Sequence, residues 1–331
     1  MTTPRRVNGW LSIPVEVQCE YAGIPQGAYY TDLEQALQVS CLYPERFEAA
    51  TGYRPPSPPS LPIIAYEGVA ALGGELVFPR DHQPMIANQG HVLETPEAVD
   101  RLAPADPWAS PRFQRHVEWY RQLRERFPGE RIGLSAGQEG PVTTAGLLRG
   151  PAFFADCLAD PARARRLLDV CTETFIAWTR AADEVEGVAR RRAGIADDYA
   201  GLLGPRLWPE FVLPYYQRIA EALGPDGWSL HTELVRREHL PLLRGLGLTS
   251  INFSEDQYLQ PRDVFELLPG VPFAWHILTV GEMQQGTPES VRRRFMEIVA
   301  AGVTEVRCEL TVDTPPENVR AFLQVAAELA G

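Results

Sequence analysis

From residue 61 onward, short apolar or β-branched runs alternate with stretches in which apolar residues recur every three to four positions. The runs at 62–66, 132–136, 193–196, 228–231, 250–253, 273–277 and 305–308 read as core strands. Helical periodicity covers 161–185, 207–223, 237–245, 261–268, 288–301 and 315–329. Several helices open with a capping residue followed by proline, as in Asp160-Pro161, Thr287-Pro288 and Thr314-Pro315. Pro214 falls inside the 207–223 pattern and should bend or split that helix. Strands alternating with helices in this way predict an α/β fold on a parallel sheet.

Seven strands are visible, and an eighth is expected from 75–92, around Leu76-Val77-Phe78. Residues 1–60 read as a mostly helical extension, joined to the rest by the stiff connector Tyr53-Arg54-Pro55-Pro56-Ser57-Pro58-Pro59-Ser60. The charged helical stretch 97–130 interrupts the strand–helix rhythm and reads as an insertion after the first strand. With no tandem repeat and no low-complexity tail, residues 1–331 are expected to form one domain: the extension at 1–60 and the strand–helix body at 61–331. The length of 331 residues is normal for a parallel α/β barrel with insertions.

Composition narrows the chemistry. The formal net charge of −12 argues against nucleic acid or an anionic membrane as partner. The chain has no lysine, so every basic side chain is arginine. That excludes a Schiff-base lysine, a pyridoxal-phosphate lysine and a Walker phosphate loop. No run approaches the roughly 20 apolar residues of a membrane span, and residues 1–10 lack the apolar segment of a signal peptide. The five cysteines are scattered without a CxxC pair, which favours a reducing, cytoplasmic setting over a disulfide framework. Cys157 and Cys171 share helical faces with phenylalanines and leucines and read as packing residues. His82, His91, His116 and His239 read as surface or insertion residues.

In a parallel barrel, reacting groups sit at the C-terminal strand ends and in the loops just after them. Those places hold Glu67, Gln138, Glu139, Asp197, Asp198, His231, Glu233, Glu255, Asp256, His276 and Cys308. His231 and Glu233 are two residues apart and so share one face of an extended strand. Imidazole, carboxylate and thiolate are donors that zinc accepts, and three protein ligands leave a fourth position open. His231, Glu233 and Cys308 are therefore the candidate metal ligands. The competing reading makes His231 a hydrogen-bonded core histidine, Glu233 a solvated loop residue and Cys308 a small buried hydrophobe. Glu67, Asp197 and His276 are the catalytic candidates. Only one of the adjacent pair Asp197-Asp198 can enter the barrel, the other being free to cap a turn; His276 either contacts substrate or fills the mouth.

Several motifs resemble one superfamily. Gly140-Pro141-Val142-Thr143-Thr144-Ala145 resembles the GPFT-A turn of the uroporphyrinogen decarboxylase superfamily. Ala196-Asp197-Asp198-Tyr199-Ala200 with Phe211-Val212-Leu213-Pro214-Tyr215 is similar to its DD-A and F-x-x-x-P-Y block. Gly286-Thr287-Pro288-Glu289-Ser290-Val291 and Thr314-Pro315-Pro316-Glu317-Asn318-Val319 resemble its last two helix starts. The resemblance spans 61–329 and implies a TIM (β/α)8 barrel.

Within that superfamily, the segment from Ile63 to Gly73 carries Glu67 and no aspartate, closer to the methylcobamide:coenzyme M methyltransferase branch than to the metal-free decarboxylases. That branch places zinc on an H-x-C pair and a distant Cys. His231 matches its His and Cys308 its second Cys, while Glu233 stands where its first Cys would be. The resemblance thus implies a zinc-dependent methyltransferase that activates a small thiol or similar nucleophile. The corrinoid signature D-x-H-x-x-G is absent, so a cobalamin would arrive on a partner corrinoid protein. Two alternatives remain open: a metal-free decarboxylase or lyase, and a non-catalytic corrinoid- or ligand-binding barrel.

Overall fold

The computed structural model describes residues 6–330 apart from 135, 136, 190, 191, 225, 256 and 257. Its regular strands are β1 (Asn8–Ser12), β2 (Leu76–Val77), β3 (Met85–Ile86), β4 (Ala193–Ala196), β5 (Trp228–His231), β6 (Leu248–Asn252), β7 (Trp275–Ile277) and β8 (Glu305–Glu309). β4, β5 and β6 form one parallel sheet; β7, β8 and β1 form another. A parallel bridge between Ile251 and Phe273 joins the two, so six strands follow one another around a wall. Two irregular extended segments continue it beside β4. Tyr66 bridges Gln138, the Glu139 N–H donates to the Ala65 carbonyl at 3.1 Å, and the Gly140 N–H donates to Ala196.

Those two segments were expected as regular strands at 62–66 and 132–136. Pro62 withholds a ladder donor from the first. Gly137, at φ +53°, turns the second out of extended geometry; residues 135 and 136 lie outside the described set.

The eighth stave differs from expectation. The segment 75–92 does form a hairpin, β2 with β3, but it is antiparallel and pairs with no barrel strand. The stave comes instead from β1, inside the extension read as helical, and it pairs with β8 from Asn8–Glu305 to Ser12–Glu309. The extension is helical after it, at Val15–Ala22, Gln26–Thr31 and Leu33–Thr51. Gly9 has a packing reason: a Cβ there would meet the Ala326 Cβ at 2.4 Å, so only glycine lets the C-terminal helix Pro316–Leu329 lie against β1.

Strand alternation sorts the barrel into two faces. In β5, Trp228 and Leu230 are buried toward the helices, whereas Ser229 and His231 line the interior cavity. In β8, Val306 and Cys308 are fully buried in the helical layer, whereas Glu305 and Arg307 line the cavity. The helices follow their sequence signals closely. Pro161–Glu186 starts at an Asp160 cap and buries Leu167, Leu168, Cys171, Phe175 and Trp178 on one face. The 207–223 pattern splits into Trp208–Phe211 and Leu213–Leu223, broken next to Pro214. Cys157 and Cys171 pack in the core as expected. His239, read as a surface or insertion residue, is instead buried, and His116, within the inserted stretch as read, is buried there too. Among the described residues, no helix is long and apolar enough to cross a membrane.

Candidate metal centre

The ends of β4, β5 and β6 are tied together before any functional side chain is placed. The Asp197 N–H donates to the His231 carbonyl at 2.9 Å, and the Thr232 N–H donates to Asn252 at 3.1 Å. The Thr232 hydroxyl donates back to the Asp197 carbonyl at 3.0 Å. The loop after β4 then presses on the loop after β5: a Cβ on Gly201 would sit 2.1 Å from the Glu233 carbonyl oxygen. Leu234 and Ser254, the non-glycine residues of positive φ among those described, sit just past β5 and β6. Left-handed backbone at such residues is costly and clusters at functional loops.

On this frame His231, Glu233 and Asp198 converge, each offering a ligand atom within 4.8 Å of the others. His231 Nε2 lies 3.2 Å from Asp198 Oδ1 and 3.9 Å from Glu233 Oε1. Asp198 Oδ1 is shielded from solvent, and this imidazole is its one polar neighbour at ion-pair distance among the described residues. Glu139 Oε2 is buried with no hydrogen-bond partner. Burial pushes the Glu139 carboxyl up to about 8, with the charges of Asp198, Asp197 and Glu233 acting in the same direction. For His231, burial opposes the charged form, but the neighbouring Asp198 and Glu233 outweigh it and raise its pKa above the ordinary imidazole value.

Asn252 orients the imidazole. The Ser254 backbone N–H donates to Asn252 Oδ1 at 3.0 Å, and a backbone amide can only donate, so the amide orientation is fixed. Asn252 Nδ2 therefore faces His231 Nδ1 at 3.0 Å, and His276 Nε2 donates to Asn252 Oδ1 at 3.0 Å. In this arrangement the His231 proton sits on Nε2, toward the carboxylates. Were Nε2 to hold an ion, the proton would sit on Nδ1, and Asn252 could accept it only by turning its oxygen away from the Ser254 and His276 donors. His276 is held neutral: burial, helped by the charges of Arg307 and His231, pushes it down to about 4.

The other expected site residues lie elsewhere. Cys308 is fully buried on the helix-facing side of β8, one residue out of phase with Arg307, and it does not join His231 and Glu233. Burial pushes its thiol well above the ordinary value. Asp197, expected as a catalytic acid, turns away from the mouth and caps the helix Pro141–Arg149. It accepts from the Thr143 N–H at 2.7 Å, the Thr143 hydroxyl at 2.8 Å and the Val142 N–H at 3.2 Å. Even so stabilised, burial leaves its carboxyl raised, to about 6. Its neighbour Asp198 enters the site in its place, because adjacent residues at a strand end point opposite ways.

Glu67, expected as a catalytic residue, is buried with both carboxylate oxygens taken by Arg112, at 3.0 to 3.3 Å, from the inserted helix Pro111–Arg126. His276 reaches the site only through Asn252. Asp256 lies outside the described residues. Asp198 and Glu139 stood among the polar residues expected at the strand ends without being chosen as ligands of this site, and Asn252 was not singled out. The signal for Asn252 was the repeated pairing of an apolar residue with a polar one at successive strand ends: Leu230-His231, Ile251-Asn252 and Trp275-His276.

The residues fit a divalent cation through His231, Glu233 and the orphaned Asp198 oxygen, and they do not fit one that needs Cys308. A family model for uroporphyrinogen decarboxylase matches residues 64–329. The chain belongs to the uroporphyrinogen decarboxylase family. Among its relatives, methylcobamide:CoM methyltransferase MtbA of Methanosarcina acetivorans is 24% identical over 216 residues, covering 63% of this chain. The chain spans 62% of that relative's length. Uroporphyrinogen decarboxylase of Thermus thermophilus is 23% identical over 273 residues, 74% of each chain. The solved structure of a methyltransferase from Methanosarcina mazei superposes with a TM-score of 0.73 over 98% of this chain and 95% of its own, at 20% identity. The family fold is a TIM barrel, and its relatives include both methyltransferases and decarboxylases.

Proposed function

We propose that this member of the uroporphyrinogen decarboxylase family is a metal-dependent methyltransferase acting on a small thiol or a similar nucleophile. The observation that carries the reading is the His231–Glu233 pair, two donors on one strand face that open together at the C-terminal mouth of the barrel. When bound, a divalent ion there lowers the pKa of a thiol and keeps it deprotonated at neutral pH. His231 and Glu233 would hold the ion, and Asn252, itself held by Ser254 and His276, packs against Nδ1 and orients the imidazole.

Beneath the mouth, the barrel is hollow where such barrels are usually filled by branched side chains. Gly194, Ser229, Ser250 and Ala274 leave a cavity of about 530 Å³, with Arg307 on its wall, and this accommodates the acceptor. Around the rim, Leu202, Tyr258, Leu278, Val280 and Val312 are exposed on four different loops. Such an apolar collar supports a bulky methyl donor settling over the opening, and the MtbA relatives are named for a methylcobamide donor. A corrinoid protein carrying that donor is the partner this reading implies.

Methyl transfer from methylcobalamin to a panel of small thiols, followed by the absorbance of the demethylated corrinoid, tests the reading. Transfer should require added zinc and be lost in His231→Ala and Glu233→Ala. The family's decarboxylases, matched over a longer span, supply the second reading. Metal-independent decarboxylation of uroporphyrinogen, with no methyl transfer under any metal, would replace the first with the second.

A further inference from the structure

We propose that in this chain the third protein ligand of the cation is Asp198, just past β4, and not Cys308. The ion is then held by one imidazole and carboxylates, with no protein sulfur. This rests on the reading that His231 and Glu233 hold an ion, and it assigns the rest of the donor set.

The register supports the assignment before any distance is considered. Ala196 pairs with His231 across β4 and β5, and both line the barrel cavity. Just past those strand ends come Asp198, the first residue of the 3-10 turn Asp198–Leu202, and Glu233, in the loop after β5. Neighbouring strands therefore deliver two carboxylates beside one imidazole, and their ligand atoms gather within 4.8 Å. The cluster also has an unsatisfied donor of electron pairs. Asp198 Oδ1 is shielded from solvent and accepts no hydrogen bond. A buried oxygen left without a partner is expensive, and a cation satisfies it.

Cys308 is excluded by strand parity. It pairs with Leu11 on one side and Ile277 on the other, and it is wholly buried in the helical layer. The inward positions of β8 belong to Glu305 and Arg307. Bringing the sulfur to the mouth would require a one-residue slip of β8 that turns Arg307 into the core. An oxygen-rich set of this kind is harder than a thiolate set and accepts manganese, iron, cobalt and zinc alike.

Cobalt(II) reconstitution of the full chain tests the assignment by stoichiometry and absorption spectrum, without reference to activity. Without added thiol, the wild-type spectrum should contain no sulfur-to-cobalt charge-transfer band. Cys308→Ser should bind cobalt within about threefold of wild type. Asp198→Asn, which preserves shape, should weaken binding by at least about 100-fold, the upper end of what outer partners of a metal site reach. A charge-transfer band that disappears in Cys308→Ser, or unaltered binding in Asp198→Asn, overturns the assignment while leaving a metal-dependent enzyme. A wild-type chain that binds no cobalt, or one whose binding survives His231→Ala, overturns the metal-dependent reading as well.

Discussion

The ion pair between Glu67 and Arg112 separates a structural carboxylate from a catalytic one, and its magnitude follows from burial. The Glu67 side chain is 4% exposed and that of Arg112 is 26%. Arg112 binds both carboxylate oxygens and lies over the Phe78 ring at 4.7 Å. Arg112→Ala leaves a carboxylate in the interior without its counter-charge. Breaking a buried pair from one side costs about 3–5 kcal/mol. The lower end applies here, because Arg112 itself reaches solvent. Glu67→Gln removes the charge but keeps an acceptor of the same shape, so the loss falls to about 1–2 kcal/mol.

The prediction is thus an asymmetry: the arginine variant should be the less stable of the two, although the carboxylate is the more buried partner. In a chain of this size 3 kcal/mol corresponds to a drop in Tm of roughly 4 °C. Urea denaturation of both single variants and of the double variant Glu67→Leu/Arg112→Leu measures it. The double variant should recover most of the loss, since apolar residues of similar volume replace buried pairs at little cost. Methyl transfer in Glu67→Gln should persist once the protein is folded. The argument fails if Arg112→Ala costs less than Glu67→Gln, or if Glu67→Gln abolishes turnover at unchanged stability.

Three further predictions concern positions that the packing singles out. Asn252→Asp should strengthen metal binding by about tenfold, because a carboxylate accepts from His231 Nδ1–H without giving up the Ser254 and His276 donors; Asn252→Leu should weaken it by 10- to 100-fold. Equilibrium dialysis of cobalt against both variants checks this, and equal affinities would contradict it. Gly201→Ala forces the loop after β4 off the Glu233 carbonyl and should lower stability by about 1–3 kcal/mol together with metal affinity, read by calorimetry and dialysis. His116 is buried with Nε2 unpartnered, and burial depresses its pKa below 6.5 despite the opposing charge of Glu67. The unfolded chain then binds the proton more readily, so its contribution to stability is lost as pH falls below about 6.5. His116→Phe should flatten that part of the stability–pH curve, and an unchanged slope would show that His116 is not its source.

The sequence made the faces of the barrel legible where strands were buried on both sides and helices carried caps. β4 and β5 appear at their predicted limits, and Pro214 splits its helix. β1 was hidden because Asn8-Gly9-Trp10-Leu11-Ser12 has none of the β-branched character of a core strand, and its Gly9 exists for contact with Ala326. No local rule encodes that contact. The pairing of His231 with Glu233 was legible from their spacing, since a strand repeats every two residues. The choice between Asp197 and Asp198 was not. Either parity satisfies the local pattern, and only the arrival of the Pro141–Arg149 helix N-terminus beside Asp197 decides it. Cys308 shows the converse: its place at the end of the last strand was visible, but its phase relative to Arg307 was set by the barrel.

The electrostatics of the mouth explain why the phase matters. Asp198 and Glu233 carry oxygens within 4.8 Å of each other, which at an effective dielectric of 20 is a repulsion of about 3 kcal/mol if both are ionised. Glu139, buried beside them, is pushed up to about 8 by burial and by the same charges. The cation whose charge reaches both histidines, Arg307, is already engaged by Glu305, its Nε donating at 2.7 Å. It cannot neutralise the cluster without abandoning that partner. His231 alone supplies at most one positive charge against the Asp198 and Glu233 carboxylates. A dication between them would outweigh their mutual repulsion and give the orphaned Asp198 oxygen a partner. Had Cys308 faced inward instead, two carboxylates and a thiolate would compete for the same ion. Its outward phase leaves the sulfur role to a substrate, so a thiol entering the chamber would be the first sulfur the metal meets.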